Sequence, residues 1–99
     1  SADFKSYGYD KSERCYKIEN LKGNPNILVM NLKGSKSSPI FNLAIQVKNW
    51  GGNGAKVYVD DKEADGSQVG INRTLTGSDL LVFLRMESES NVQIKIKPL

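Results

Sequence analysis

Histidine is absent from this 99-residue chain, and cysteine and tryptophan occur once each. Without histidine there is no Ser-His-Asp or Cys-His relay, none of the usual zinc centres, and no side chain whose ordinary titration falls near neutral pH. The single cysteine, Cys15, allows no internal disulfide, so cysteine usage says nothing about the redox compartment. Between Arg14 and Tyr16 in a strand-like run, it reads as a small buried apolar residue rather than a reactive thiol. No apolar run approaches the ~18 residues that cross a bilayer, and the opening SADFKSYGYD lacks a signal-peptide core. The sequence is therefore read as a mature form or a fragment of a longer polypeptide. A helix-period segment of useful length, an internal repeat and a low-complexity tract are missing too.

What is present is alternation. In Phe41 to Asn49, FNLAIQVKN, the residues Phe41, Leu43, Ile45 and Val47 are expected on one side and Asn42, Ala44, Gln46 and Lys48 on the other. The C-terminal NVQIKIK repeats the pattern with Val92, Ile94 and Ile96 inward, until Pro98 removes a ladder donor. The run Ser78 to Met86, SDLLVFLRM, is almost continuously apolar, as in a central strand covered on both faces or a short buried helix; its short length, with Thr76-Gly77-Ser78 before it and the turn-rich ESESN after, favours the strand. Ala55 to Val59 places Val57 and Val59 inward and leads into a hairpin turn at Asp60-Asp61-Lys62, with Asp61 where glycine or asparagine is most comfortable. Arg14 to Asn20, Asn26 to Leu32 and Gln68 to Thr74 complete about seven strands, with turn residues at nearly every junction, spaced as an all-β sandwich requires. The expectation is one domain over residues 1–99, an antiparallel Ig-like or jelly-roll-like sandwich. Its first dozen residues are expected to fray, and GSKSS is expected to form a flexible loop before Pro39.

A chain of this length supports one core without a deep enclosed pocket, so any ligand site should be shallow. The 14 Lys and Arg against 11 Asp and Glu are scattered along the chain, a solvated surface rather than a nucleic-acid stripe with interleaved aromatics. Asp60, Asp61 and Asp65 near one hairpin match no EF-hand spacing, although hard oxygen ligands in a turn suit calcium. Glu87 and Glu89 share a face on a strand, but turn carboxylates are placed for solvation, and a glycosidase needs a buried acid opposite a second. GGNGAKV fails as a phosphate loop because position 57 is Val57 and no Gly-Lys-Ser/Thr follows. Asn72-Arg73-Thr74 fits the short acceptor pattern for N-glycosylation, which matters only in a eukaryotic secreted protein.

Trp50 admits two readings. At the exit of a strand beside Asn49, Asn53 and three glycines, it suits a flat platform for a sugar ring, as do Tyr7, Tyr9 and Tyr58. Equally, a tryptophan there folds over the sheet edge and seals the core, even though simple alternation puts it out of phase with Val47. The candidate ligand-binding set is Trp50, Asn49, Asn53, Tyr58, Tyr7 and Tyr9, with no metal and no cofactor.

From Pro39 to Ile96 the chain shows a long alternating strand ending in Asn49-Trp50-Gly51, the hairpin KVYVDDKEA, then QVGINRTLTGSDLLVFLRMES and the closing VQIKI. This order resembles the small C-terminal β-sandwich accessory modules of secreted bacterial polysaccharide-degrading enzymes. Their hairpin usually reads Asp-Gly-Lys or Asn-Gly-Lys, whereas Asp61 replaces the glycine here. The resemblance implies a non-catalytic module of an exported carbohydrate-processing protein, secreted or held at the cell surface or periplasm. Its partner would be a polysaccharide or a neighbouring catalytic domain of the same polypeptide, with no nucleic acid and no membrane. The alternatives are a stand-alone carboxylate-dependent carbohydrate enzyme and an OB-like single-stranded nucleic-acid module, the latter favoured by an isoelectric point near 9.0 and the tyrosines.

Overall fold

A computed structural model describes residues 3–75 and 77–99; Thr76, part of the expected turn before the apolar run, lies outside the described residues with Ser1 and Ala2. The described chain is all-β. Its strands are β1 (Phe4–Asp10), β2 (Cys15–Asn20), β3 (Leu28–Leu32), β4 (Ile40–Lys48), β5 (Ala55–Val59), β6 (Lys62–Glu63), β7 (Ser67–Thr74), β8 (Gly77–Ser88) and β9 (Val92–Pro98). Each segment expected to be a strand contains one, but the described residues hold nine strands rather than about seven. β1 and β6 are the additions.

The strands form a five-stranded sheet in the order β1-β2-β4-β8-β7 and a four-stranded sheet in the order β3-β9-β5-β6. Their inner faces share one core. Ile18, Leu43, Ile45, Val47, Leu80, Val82 and Leu84 come from the first sheet, and Leu28, Val57, Ile94 and Ile96 from the second. A strand with one buried face must alternate, and β9 does so without a break from Val92 to Ile96. The sheets are not purely antiparallel: β2 runs parallel to β4, pairing Tyr16 with Ile45 and Ile18 with Val47. Alternation cannot distinguish the two, since inward residues recur every second position in either direction.

Three expectations change. The first dozen residues include a strand, because Phe4 inserts into the core against Trp50, with ring centroids 6.3 Å apart, and β1 pairs along β2. Phe41 is not inward: it is 65% exposed, and Ile40 takes the core position. The cause is a bulge, since the β4–β8 register slips between Phe41 and Leu43. Asn42 there has φ +39°, and its Oδ1 accepts the Met86 N–H at 3.1 Å. Two β8 residues, Arg85 and Met86, stand opposite the single Asn42 at the slip, and with Asn42 left-handed both Phe41 and Asn42 face outward between the buried Ile40 and Leu43. Finally, β8 is covered on one face only. Leu80, Val82 and Leu84 are buried, while Leu81 and Phe83 are exposed.

The β5–β6 hairpin turns as its sequence suggests. Val59 pairs with Lys62, leaving Asp60 and Asp61 as a two-residue loop with φ +48° and +69°, the left-handed pair that a type I′ turn demands. Asp60 is further tied to β9, its Oδ1 accepting the Gln93 N–H and its own N–H donating to the Gln93 carbonyl, both at 2.9 Å.

Candidate functional site

Trp50 is a plug. Its side chain has no exposed surface, and its Nε1–H donates to the Gly54 carbonyl at 3.2 Å while its backbone N–H donates to the Ser78 carbonyl at 2.7 Å. The ring lies inside the loop that follows β4, so no face is offered to a sugar. The left-handed Asn49 (φ +60°) turns the chain inward at this point, which is why simple alternation placed the ring outside. Gly51, at φ +84°, lies so close to the preceding turn that a Cβ would meet the Gly23 carbonyl oxygen at 2.5 Å.

The neighbouring amides are occupied as well. Asn49 receives its backbone fixing from Asp79, whose Oδ1 accepts the Asn49 N–H at 3.0 Å, and its Nδ2 donates to the Asn20 carbonyl at 3.3 Å. The fully buried Asn20 holds the whole corner. Its Nδ2 donates to the carbonyls of Asn24 (2.8 Å) and Trp50 (3.4 Å), and its Oδ1 accepts the N–H groups of Lys22 (3.1 Å) and Gly23 (3.2 Å). A buried amide with every group paired is a structural latch. Among the described residues no buried side-chain nitrogen or oxygen lacks a partner, so the interior holds no polar group waiting for a ligand. Asn53 is exposed, its Oδ1 accepting from Arg73 at 3.2 Å.

The tyrosines are on the surface but apart. Tyr58 is half-buried on the outer face of the four-stranded sheet, with the Lys97 ammonium 4.8 Å from its ring centre. Tyr7 sits in the β1 irregularity and donates to Glu19 at 2.8 Å; that hydrogen bond holds its phenol above the ordinary value. Tyr9 makes an edge-on contact with Tyr16 at 5.1 Å. Trp50, Asn49 and Asn53 lie at one corner, and Tyr58 on a different face from Tyr7 and Tyr9. The structure therefore does not gather the six residues into one site.

Of the six, only Tyr9 borders the main cleft, an open recess of about 800 Å³ where the chain entering β7 meets the middle of the five-stranded sheet. Its aromatic wall is Phe41 and Phe83, 65% and 59% exposed, with Arg14, Gln68 and Arg85 around them. Each is placed by local structure: Phe41 by the Asn42 bulge, Arg14 by a left-handed backbone (φ +57°) at the β1–β2 turn, and Phe83 and Gln68 by direct pairing across β8 and β7. Beside it, a smaller groove of about 310 Å³ runs over Cys15, Ala44 and Leu81. Cys15 is buried there, and burial pushes its thiol above the ordinary value, consistent with a packing residue. Flat aromatic surface beside guanidinium and amide groups can stack on a ring and hydrogen-bond its hydroxyls. The signal for this wall was in the sequence: Leu81 and Phe83 occupy positions that a strand with one solvated face normally fills with polar residues.

Among the described residues no three acidic or thiol groups converge as a metal site. Asp60 caps the Gln93 amide, Asp61 pairs with Lys95 at 3.3 Å, and Asp65 borders the cleft. Glu87 and Glu89 are both exposed. Neither a protein-family model, nor a curated protein, nor a solved structure matches this chain.

Proposed function

We propose that the chain is a non-catalytic accessory module of an exported carbohydrate-processing protein and takes a glycan in the open cleft of the five-stranded sheet. The observation that carries this is the exposure of Phe41 and Phe83 in one cleft with Arg14, Gln68 and Arg85. Two phenylalanines left in water forgo about 1.5–3 kcal/mol each of burial energy, a loss that a ring packed on them would recover. The cleft is shallow and open, which suits a weak grip on a polymer rather than enclosure of a small molecule. The module would be an Ig-like or jelly-roll-like sandwich, a reading supported by a chain that passes between the two sheets five times, after β2, β3, β4, β6 and β8.

Titration of labelled protein with neutral oligosaccharides, followed by NMR, tests this. Amide shifts should cluster at Phe41, Gln68 and Phe83, and Phe83→Ala should abolish them while leaving the melting temperature within a few degrees, since the ring is exposed. Absence of shifts at millimolar glycan, or shifts unchanged in Phe83→Ala, would remove the proposal. A second reading, docking on a neighbouring domain, is favoured by Leu81 and Ala44, which extend the aromatic wall without a hydrogen-bonding group. Protection of the β8 amides from exchange in a longer polypeptide, with no response to sugar, identifies it. A carboxylate-dependent enzyme is the remaining alternative, and new reducing ends or unsaturated products on incubation with polysaccharide would establish it.

A further inference from the structure

The outer face of the four-stranded sheet has a different chemistry from the cleft. Residues directly opposite each other in antiparallel strands share a face, so the register Lys56↔Lys97, Tyr58↔Lys95 and Val29↔Lys95 puts Lys56, Lys95 and Lys97 together around Tyr58. Lys56 is exposed, and Lys95 and Lys97 are half-buried along their stems. The acids nearby are Asp61, which pairs with Lys95, and Glu63, which sits across from Tyr58. No carboxylate faces the Lys56–Lys97 pair among the described ion pairs.

Like charges directly opposite on adjacent strands destabilise a sheet, and nothing in the fold requires lysine at either position. The Lys97 ammonium is instead held over the Tyr58 ring at 4.8 Å, which fixes a cation at the surface. We infer that this face binds an acidic polysaccharide, the paired ammonium groups of Lys56 and Lys97 with Lys95 meeting its carboxylates or sulfates. The ligand relieves the repulsion that the sheet otherwise carries. A single-stranded nucleic acid needs aromatic faces open for base stacking, and the one aromatic here is covered by Lys97. A membrane surface calls for protruding apolar side chains, and within the strands the outward positions of this face supply the half-buried Val29 as their aliphatic residue. The inference rests on the reading of the chain as a glycan-associated module, but on separate residues.

Polygalacturonate is the probe. The protein should bind it at low ionic strength with an affinity that falls as salt rises, perturbing the amides of Lys56, Tyr58 and Lys97 in NMR spectra. Charge reversal of the pair, Lys56→Glu with Lys97→Glu, should weaken binding about tenfold or more. The milder Lys56→Gln should also weaken binding while melting no lower than the parent, because it removes a repulsion; that opposition separates lost recognition from lost folding. Phe83→Ala should leave polygalacturonate binding intact, so failure of the cleft proposal is read separately. Binding unaffected by charge reversal, or no binding at low salt, overturns the inference. So does tighter binding of poly(dT) or of phosphatidylserine vesicles, which would assign the face to nucleic acid or membrane.

Discussion

Replacing Trp50 by phenylalanine separates a plug from a platform. The substitution removes the Nε1–H that pairs with the Gly54 carbonyl inside the structure and leaves that oxygen only the Leu99 N–H at 3.3 Å, a cost of about 0.5–1.5 kcal/mol. It also opens roughly 40 Å³ in a site with no exposed surface, which at ~24 cal/mol per Å³ adds about 1 kcal/mol. Together these predict a loss of about 1.5–2.5 kcal/mol. In a domain of this size each kcal/mol moves the melting temperature by about 4–8 °C, so Trp50→Phe should melt roughly 6–20 °C lower. Trp50→Ala should cost more, about 3–5 kcal/mol from the side-chain deletion before the lost hydrogen bond is counted. Circular-dichroism melts with urea titration measure both. Trp50 is the sole tryptophan, so native fluorescence reports on it directly and should be blue-shifted, resistant to acrylamide and unchanged by glycan. A Trp50→Phe protein that melts within 3 °C or so of the parent would refute the packing argument, and quenchable emission would refute the burial.

The β5–β6 turn offers the opposite sign: Asp61→Gly places the residue best suited to φ +69° at the second position of a type I′ turn and should stabilise by ~0.5–1 kcal/mol, seen as a higher urea midpoint at unchanged slope. The surface pair with Lys95 is too exposed to offset that, so a lower midpoint would show that the turn energetics are misjudged. At the β1–β2 turn the Asp10 carboxyl is held below its ordinary value by the Ser12 hydroxyl, then by the Glu13 and Ser12 backbone N–H groups and Lys17. A depressed folded value means that the contribution is complete above the unfolded value and lost as pH falls through the folded one. NMR should therefore show Asp10 titrating below ordinary aspartates, with the Ser12 and Glu13 amides following the same midpoint; an ordinary midpoint contradicts the geometry.

Strand positions were legible because one-sided burial leaves a period of two in the sequence, and β4, β5 and β9 carry it plainly from Leu43 to Val47, at Val57 and from Val92 to Ile96. Two kinds of information were not. Which strands neighbour each other, and in which direction, depends on contacts between distant segments, so the parallel β2–β4 pair left no trace in either strand. Local irregularity was the other loss. Asn42 and Asn49 each adopt a left-handed backbone, and each reverses the facing of an aromatic: Phe41 goes out and Trp50 goes in. Asparagine is the non-glycine residue that tolerates this conformation best, but it is also common in solvated loops, so its presence did not announce the reversal. Counting phase through an asparagine therefore puts Phe41 in the core and leaves Trp50 open to both the platform and the plug reading, whereas the backbone sends Phe41 out and Trp50 in.

The same two reversals link fold to function. A regular β4 would carry Phe41 inward with Leu43 and set Ile40 outside; the core would lose nothing, since both residues are large and apolar. What the bulge changes is the outer face of the sheet, where it brings Phe41 to the cleft that Phe83 and Arg85 border. The slip, where Arg85 and Met86 oppose Asn42 alone, interrupts the ladder, and the Met86 N–H donates to the Asn42 side chain instead. Across the molecule, the four-stranded sheet likewise sets Lys56 opposite Lys97, where a threonine pair would be the more stable choice. Each outer surface thus carries an arrangement that packing alone would not select. The interior, where every buried polar side-chain atom among the described residues is satisfied, needs neither. We therefore propose recognition on the outer faces of the two sheets rather than in the loops around Trp50.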